Sequence, residues 1–412
     1  MNKPQRAGLL LLLWLPVLAR AQQGATHVTV AQLEQVLTAA QGKSNARLAR
    51  RLSGMELTER MSRARLLSWL ARLQGTKAWD ALVALADISA FLDPPPAEIP
   101  ADPPPELAAQ QQMISLTGTF LNRKIPRLPN FFATRTTFNY KEVLPRDDQP
   151  GNSKLAVGSL QRTDSSSATV LYRNGFDFVD TEEENGKQRK HNLADTNGGN
   201  GGSSKWQYRS METKGTFGPV LSAMMPVVAS GDLTWSRWEE GEGGLRAVFR
   251  YTVPKEDSHY QVAYCCLPEG DGTGVFHRVT GYHGEIAINP VNGAILRLTV
   301  MADLQPKLPA ARAGVMIETM QAEPNPTLPI IRADIMVEYG PMEIGGKTYT
   351  CPVRSVSIMR DRTVTHIHKD NSYGDFIRTF GPYMTELEDV SFQDYHVFRS
   401  ESRVLPGFNP LP

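Results

Sequence analysis

The chain has 412 residues, 41% of them hydrophobic, with 44 Lys and Arg against 43 Asp and Glu. That size allows two or three domains with ample cores, and the near balance of charge excludes a global field that would recruit nucleic acid or anionic lipid. Its 33 glycines and 29 prolines signal many turns, which favours antiparallel strands and long loops over an all-helical protein.

The opening stretch, MNKPQRAGLLLLLWLPVLARAQQ, reads as a secretory signal. Lys3 and Arg6 precede an apolar run from Ala7 to Leu18, and Ala19-Arg20-Ala21 supplies a small-x-small cleavage pattern. The run falls short of the roughly 20 apolar residues that a bilayer-spanning helix needs. The expectation is a signal peptide over residues 1–21, no transmembrane segment after it, and a periplasmic or secreted protein.

Residues 22–93 carry a helical pattern. Thr29 is a good N-cap for a helix with Val30, Leu33, Val36 and Leu37 on one side. Leu66, Leu70 and Leu73 repeat at helical spacing, with Gly75 as a stop. TKAWDALVALADISAFLD is apolar on nearly every side, as the central helix of a small bundle is. Seven arginines (Arg47, Arg50, Arg51, Arg60, Arg63, Arg65 and Arg72) crowd this half. Lacking interleaved aromatics, they read as a solvated face rather than a nucleic-acid patch. Residues 94–106 are proline-rich and predict a semi-rigid linker, and ELAAQQQMISLTGTFLNRK predicts one more helix.

Beyond Pro126 the hydrophobic period changes to two, and residues 107–412 read as one β-rich domain. Asn174-Gly175, Asn292-Gly293 and Gly345-Gly346 mark hairpin turns. Leu245, Ala247, Phe249, Tyr251 and Val253 alternate against Arg246, Arg250 and Thr252, and in the next hairpin Ile286 and Ile288 face inward beside Leu296, Leu298 and Val300. DVSFQDYHVFRSESRVL predicts a closing strand. Residues 184–205 are polar and Gly-rich and read as a mobile insertion. The predicted fold class is α+β: a helical segment followed by a large curved, mostly antiparallel, half-barrel-like sheet.

Candidate sites are few. The chain contains no GxSxG, HExxH, Walker or CxxC motif, so no catalytic residue or cofactor is assigned and an enzyme is not the expectation. In THIHKDNS, His366 and His368 share one face of an extended chain and suit two imidazole ligands of a hydrolytic metal, with Asp370, His277 or His283 as a third. Paired surface histidines are the commoner outcome. In GTFGPVLSAMMPVV, a short helix lays Val220, Leu221, Met224 and Met225 over the sheet, where methionines either line a lipid groove or fill core gaps. Trp235 and Trp238 are expected on opposite faces. Cys265 and Cys266 are adjacent and point apart, so a disulfide from Cys266 to Cys351 is the first choice, with Cys265 to Cys351 as the alternative. Closing that loop is worth about 4 kcal/mol in the chain-entropy picture.

The segments IPRLPNFFATRTTFNY, KGTFGPVLSAMM, YHGEIAINPVNGAILRLT, VEYGPMEIGGKTYTCPVRS and DVSFQDYHVFRSESRVL, in that order, resemble a pattern in uncharacterised exported bacterial proteins. Their sheet is similar in plan to the half-barrel of periplasmic lipoprotein carriers and the related envelope-stress regulator. The resemblance covers about residues 125–405. Many of those proteins have a cysteine mid-way along the first strand, where this chain has Ala133 and its neighbours, so no bond is implied there. The resemblance implies an envelope protein that binds a lipid, a lipoprotein or a protein partner on its sheet. None of a carrier's functional residues carries over, because no matching site motif is present.

Overall fold

The computed structural model describes residues 25–42, 44–123, 125–143, 159–173, 176–184, 187–189, 219–241, 243–267, 274–304, 329–368 and 376–398. The predicted signal segment and residues 190–205 of the predicted insertion lie outside these.

The helical half consists of β1 (Thr26–Val28), α1 (Val30–Ala39), α2 (Asn45–Leu52), β2 (Met55–Leu57), α3 (Arg63–Leu70) and α4 (Thr76–Ile88). Thr29 starts α1 with a capping box: its hydroxyl accepts from the Gln32 amide at 3.2 Å and its own amide donates to Gln32 Oε1 at 2.9 Å. The parallel pairing of β1 with β2 is not foreshadowed by periodicity, because three residues are too few to alternate visibly. Gly75 does not stop α3, which ends at Leu70; it stands at the start of α4 with φ 94°. Leu33, Leu37, Leu52, Leu66 and Leu82 make the core of this half, and Asn45 ties α2 to α4 by accepting from the Ala78 amide at 2.7 Å.

The β-rich half opens with α5 (Leu107–Arg123) and continues through β3 (Phe131–Val143), β4 (Ser159–Arg173), β5 (Phe176–Glu184) and β6 (Lys187–Arg189). Two short helices follow, α6 (Pro219–Ser222) and α7 (Met224–Ser230). The remaining strands are β7 (Thr234–Gly241), β8 (Gly244–Val253), β9 (Gln261–Leu267), β10 (Gly274–Val279), β11 (Tyr282–Ile288), β12 (Ile295–Ala302), β13 (Ile330–Ile344), β14 (Lys347–His368) and β15 (Phe376–Val397). β9 and β10 form a separate ribbon, and the other strands make one sheet in the order β6-β5-β4-β3-β15-β14-β13-β12-β11-β8-β7. Every pairing in it is antiparallel. The sheet is curved and does not close, so the fold is α+β as its patterning predicts. The predicted hairpins are present, with β4 returning as β5, β11 as β12 and β13 as β14. Gly345 and Gly346 take φ of 61° and 77°, the left-handed pair that a two-residue hairpin turn requires. Gly293 has φ 72°, and a Cβ there would lie 2.3 Å from the backbone of Leu116 on α5. That turn therefore presses directly on the helix.

Both faces of the sheet are covered, by different means. Neighbours Val337 and Met336 point to opposite sides and belong to different cores. On Val337's side, Phe249, Ile286 and Leu298 pack under Phe120, Leu121, Met224 and Val227 from α5 and α7. The β12 register brings Ile295 into this core, while Leu296 stays half-buried. On Met336's side, Tyr140, Val356, Ile358 and Leu387 meet Val83, Ala84 and Ala90 from α4 and the turn after it. The expected separation of Trp235 and Trp238 is overturned. A bulge between Trp235 and Arg237 resets the alternation, and the two rings meet edge to face at 4.8 Å against the first core. The proline-rich linker is not free of the sheet: Pro94 and Pro95 are buried, and Trp238 Nε1 donates to the Pro103 carbonyl at 3.1 Å.

Candidate functional site

Two places stand out, one on each side of the sheet. The first is the lid formed by α5, α6 and α7. Leu221 and Met224 are spent in the core, whereas Val220 and Met225 are only partly buried beside it. The Tyr282 hydroxyl fixes the junction of α6 and α7 by donating to the Ala223 carbonyl at 3.3 Å. Between α5 and α7 runs an open crevice of about 610 Å³ lined by Gln111, Ile114, Gly118, Leu121, Met225 and Val228. Of the methionines expected to meet a ligand, Met225 reaches this crevice and Met224 does not line it.

The second is the seam between α4 and the opposite face. Asp80 and Asp87, two turns apart on α4, and Asp93 beyond it each meet arginine from a different part of the sheet. Asp80 pairs with Arg162 of β4 at 3.4 Å, Asp87 accepts from Arg354 of β14, and Asp93 sits 3.0 Å from Arg237 of β7 and 3.2 Å from Arg250 of β8. In the reverse sense, Arg60 of the helical half donates to Glu239 of β7 at 2.8 Å. Glu239 is almost wholly enclosed and also accepts from Arg237 at 2.6 Å and Arg297 at 3.1 Å, while Glu285 accepts from Arg237 at 2.7 Å.

These groups set one another's proton affinity. Burial alone would raise Glu239, but Arg297, Arg60 and Arg237 outweigh it and hold the carboxyl far below the ordinary glutamate value. Glu285 is likewise held low against its burial, by Arg237 and Arg297. Burial, reinforced by repulsion from Arg297 and Arg237, pulls Arg60 down to about 10. At the other end of the seam the balance reverses. Asp87 is fully buried, and although Arg354 opposes the change, burial together with Asp389 and Glu338 pushes its carboxyl well above the ordinary aspartate value. Between the two halves lies a cleft of about 570 Å³ lined in part by Arg60, Glu239, Arg297, Met336, Glu338 and Arg354.

The other sequence-predicted residues fall elsewhere. His366 and His368 lie two apart on β14, opposite Arg378 and Phe376 of β15. Their side chains and all of Asp370 are outside the described residues, as is the side chain of His277. His283 instead contacts Asp303, Nδ1 to Oδ1, at 2.8 Å. No group of metal-binding side chains occurs among the described residues. The tie from Cys266, or Cys265, to Cys351 is not formed among the described residues. Cys351 is a free thiol enclosed by an apolar core that includes Phe131, Ile344, Val390 and Phe392, and burial pushes it up to about 12. The side chains of Cys265 and Cys266 lie outside the described residues. No described helix is long and apolar enough to cross a membrane.

No protein family, curated protein or solved structure matches this chain.

The residues that organise the seam escape the sequence reading. Arg60 belongs to the supposedly solvated arginine face but its side chain is only 12% exposed, and Arg65 pairs with Glu34 and Glu98 at 2.9 and 2.6 Å. Arg47, Arg50 and Arg51 remain exposed. The available signal was Asp80 and Asp87, seven residues apart in a helix otherwise apolar on nearly every side. A carboxylate in such a helix must find a cation when it is buried.

Proposed function

We propose that this chain is a non-enzymatic exported protein of the cell envelope that holds a slim apolar ligand, of acyl-chain type, between α5 and α7. The supporting observation is the crevice of about 610 Å³. Its volume falls within the range of about 300–1,000 Å³ usual for small-ligand sites. Its wall combines Ile114, Leu121, Met225, Val228 and the bare backbone of Gly118 with polar Gln111, Ser115, Thr119, Asn122 and Arg123, and a flexible thioether adapts to chains of differing shape. The short helices α6 and α7, four and seven residues long, gain most of their stability from packing rather than from their own turns. They can therefore shift to admit a ligand without breaking the sheet.

The test uses the purified full chain. Native mass spectrometry should detect a co-purifying lipid, and a fluorescent fatty-acid probe should bind the delipidated protein. Gly118→Phe fills the crevice, since a Cβ at Gly118 already meets Val228 at 3.6 Å, and should weaken probe binding at least about tenfold, or about 1.4 kcal/mol. A wild-type protein that carries no lipid and binds no probe sinks the reading.

A second reading, a protein-interaction module, is favoured by α2. Arg47, Arg50 and Arg51 lie on its exposed side, opposite buried Leu48 and Leu52, and the helix contains no acidic residue. Such a surface fits an acidic envelope protein. Charge reversal of all three arginines that leaves pull-downs from envelope extracts unchanged removes this reading.

A further inference from the structure

At the β14 end of the seam, three carboxylates converge on one guanidinium. Asp87 comes from α4, Asp389 from β15 and Glu338 from β13, and Arg354 of β14 faces them all. Arg354 donates to Asp87 and, through Nε, to Asp389 Oδ1 at 2.9 Å. Glu338 lies directly across the ladder from Arg354, and its Oε2 is buried without a hydrogen bond. The second oxygen of Asp87 is likewise buried and without a hydrogen bond.

Other charges nearby do not restore the balance. Arg297 stands opposite Glu338 on β12, but its Nη groups are directed to Glu239 and Glu285. Arg162 of β4 pairs with Asp80, which adds another carboxylate from Asp87's own helix. From β3 comes the Tyr140 hydroxyl, buried and without a hydrogen bond. Three carboxylates around one guanidinium, with Asp87 wholly buried among them, favour retention of a proton on Asp87.

We propose that a proton held on Asp87, against Arg354, Asp389 and Glu338, latches the helical half onto the sheet, so that rising pH releases it. Asp87 is the member contributed by the helical half, so withdrawal of α4 returns its carboxyl to water and to its ordinary acidity. The docked state therefore binds more protons than the released one. The latch is complete below the ordinary aspartate value and is lost as pH climbs through the raised docked value, consistent with the direction of the Asp87 shift. Glu239, at the other end of the seam, acts in the opposite sense. Release takes away only Arg60 of the three arginines that hold it low, since Arg297 and Arg237 belong to the sheet, so this smaller contribution is lost as pH falls through the docked value. Docking is consequently tightest in mild acid and slackens on either side.

The test is protease cleavage of the 94–106 linker in the full chain from about pH 4 to about pH 9, normalised to a free peptide of the same sequence, with small-angle scattering to follow the separation of the halves. Release should increase up to about tenfold per pH unit and then level off. Asp87→Asn should cleave at the low-pH rate throughout. Glu239→Gln, at the opposite end, should keep the rise. If Asp87→Asn does not fold by circular dichroism, Asp389→Asn serves instead. By removing one competing charge it should move the rise to lower pH. A flat wild-type profile overturns the proposal, as does an unchanged rise in a folded Asp87→Asn or an unshifted one in Asp389→Asn.

Discussion

The two faces of the sheet are covered by elements of similar type held in different ways. Helices α5 and α7 lie on Phe249, Ile286, Leu298 and Val337 through hydrocarbon contact. Helix α4 also has an apolar patch, with Val83 and Ala84 against Val356 and Ile358, but its position is set by Asp80 and Asp87 meeting Arg162 and Arg354 of the sheet. Apolar contact tolerates sliding, because one methylene serves nearly as well as another. An ion pair removed from water does not, because either partner left alone is costly. The first cover is thus suited to rearranging around a ligand, and the second to a definite docked position that changes with charge.

The largest expected effect tests the ionic face. Glu239→Ala leaves Arg60, Arg237 and Arg297 crowded without their shared carboxylate, and should cost about 3–5 kcal/mol in urea unfolding. A loss below about 1 kcal/mol would mean that water already screens the cluster. On the apolar face, Met224→Ala removes a fully buried side chain and should cost about 2–5 kcal/mol. That loss should be the same at low and high salt, which sharpens the contrast. The contribution of Glu239 and Glu285 has a pH signature as well. Both carboxyls are held low, so stability should fall progressively as pH drops below the ordinary glutamate value of about 4.3. Charge-neutral variants at both positions should flatten that fall. Asp93→Ala is milder, since the Asp93 side chain is 66% exposed, and should cost no more than about 1 kcal/mol. Smallest of all, alkylation of the folded protein should leave Cys351 unmodified, because its thiol is enclosed and its acidity suppressed. Rapid labelling without unfolding would show that the core around Phe131 opens readily.

Much of the architecture was legible because it rests on short-range chemistry. Alternation at Ala247, Phe249, Tyr251 and Val253 identified a half-buried strand, and Gly345-Gly346 identified a turn that few other residue pairs could make. The Trp235–Trp238 contact was not legible, since a bulge is one residue out of step and leaves no mark in composition. The seam was hidden for another reason. Arg60 and Glu239 are 179 positions apart, and neither has a local pattern that distinguishes it from a solvated charge. The crevice was half visible: the methionine-rich segment was singled out, but which methionine faces the opening depends on how α7 meets α5.

Strand β15 is the last described strand in the chain, yet it lies between β3 and β14 in the middle of the sheet. As the polypeptide emerges from N to C, the ribbon beginning at β3 and the ribbon ending at β14 must wait as separate pieces. Each presents an unpaired edge, a hazard for association with other chains. The final strand then joins them at once, pairing Leu387 with Tyr140 on one side and with Ile358 on the other. Folding of the whole sheet is therefore gated by the arrival of its last strand. A chain truncated before Phe376 should accumulate as aggregation-prone halves rather than as a slightly smaller version of the same protein.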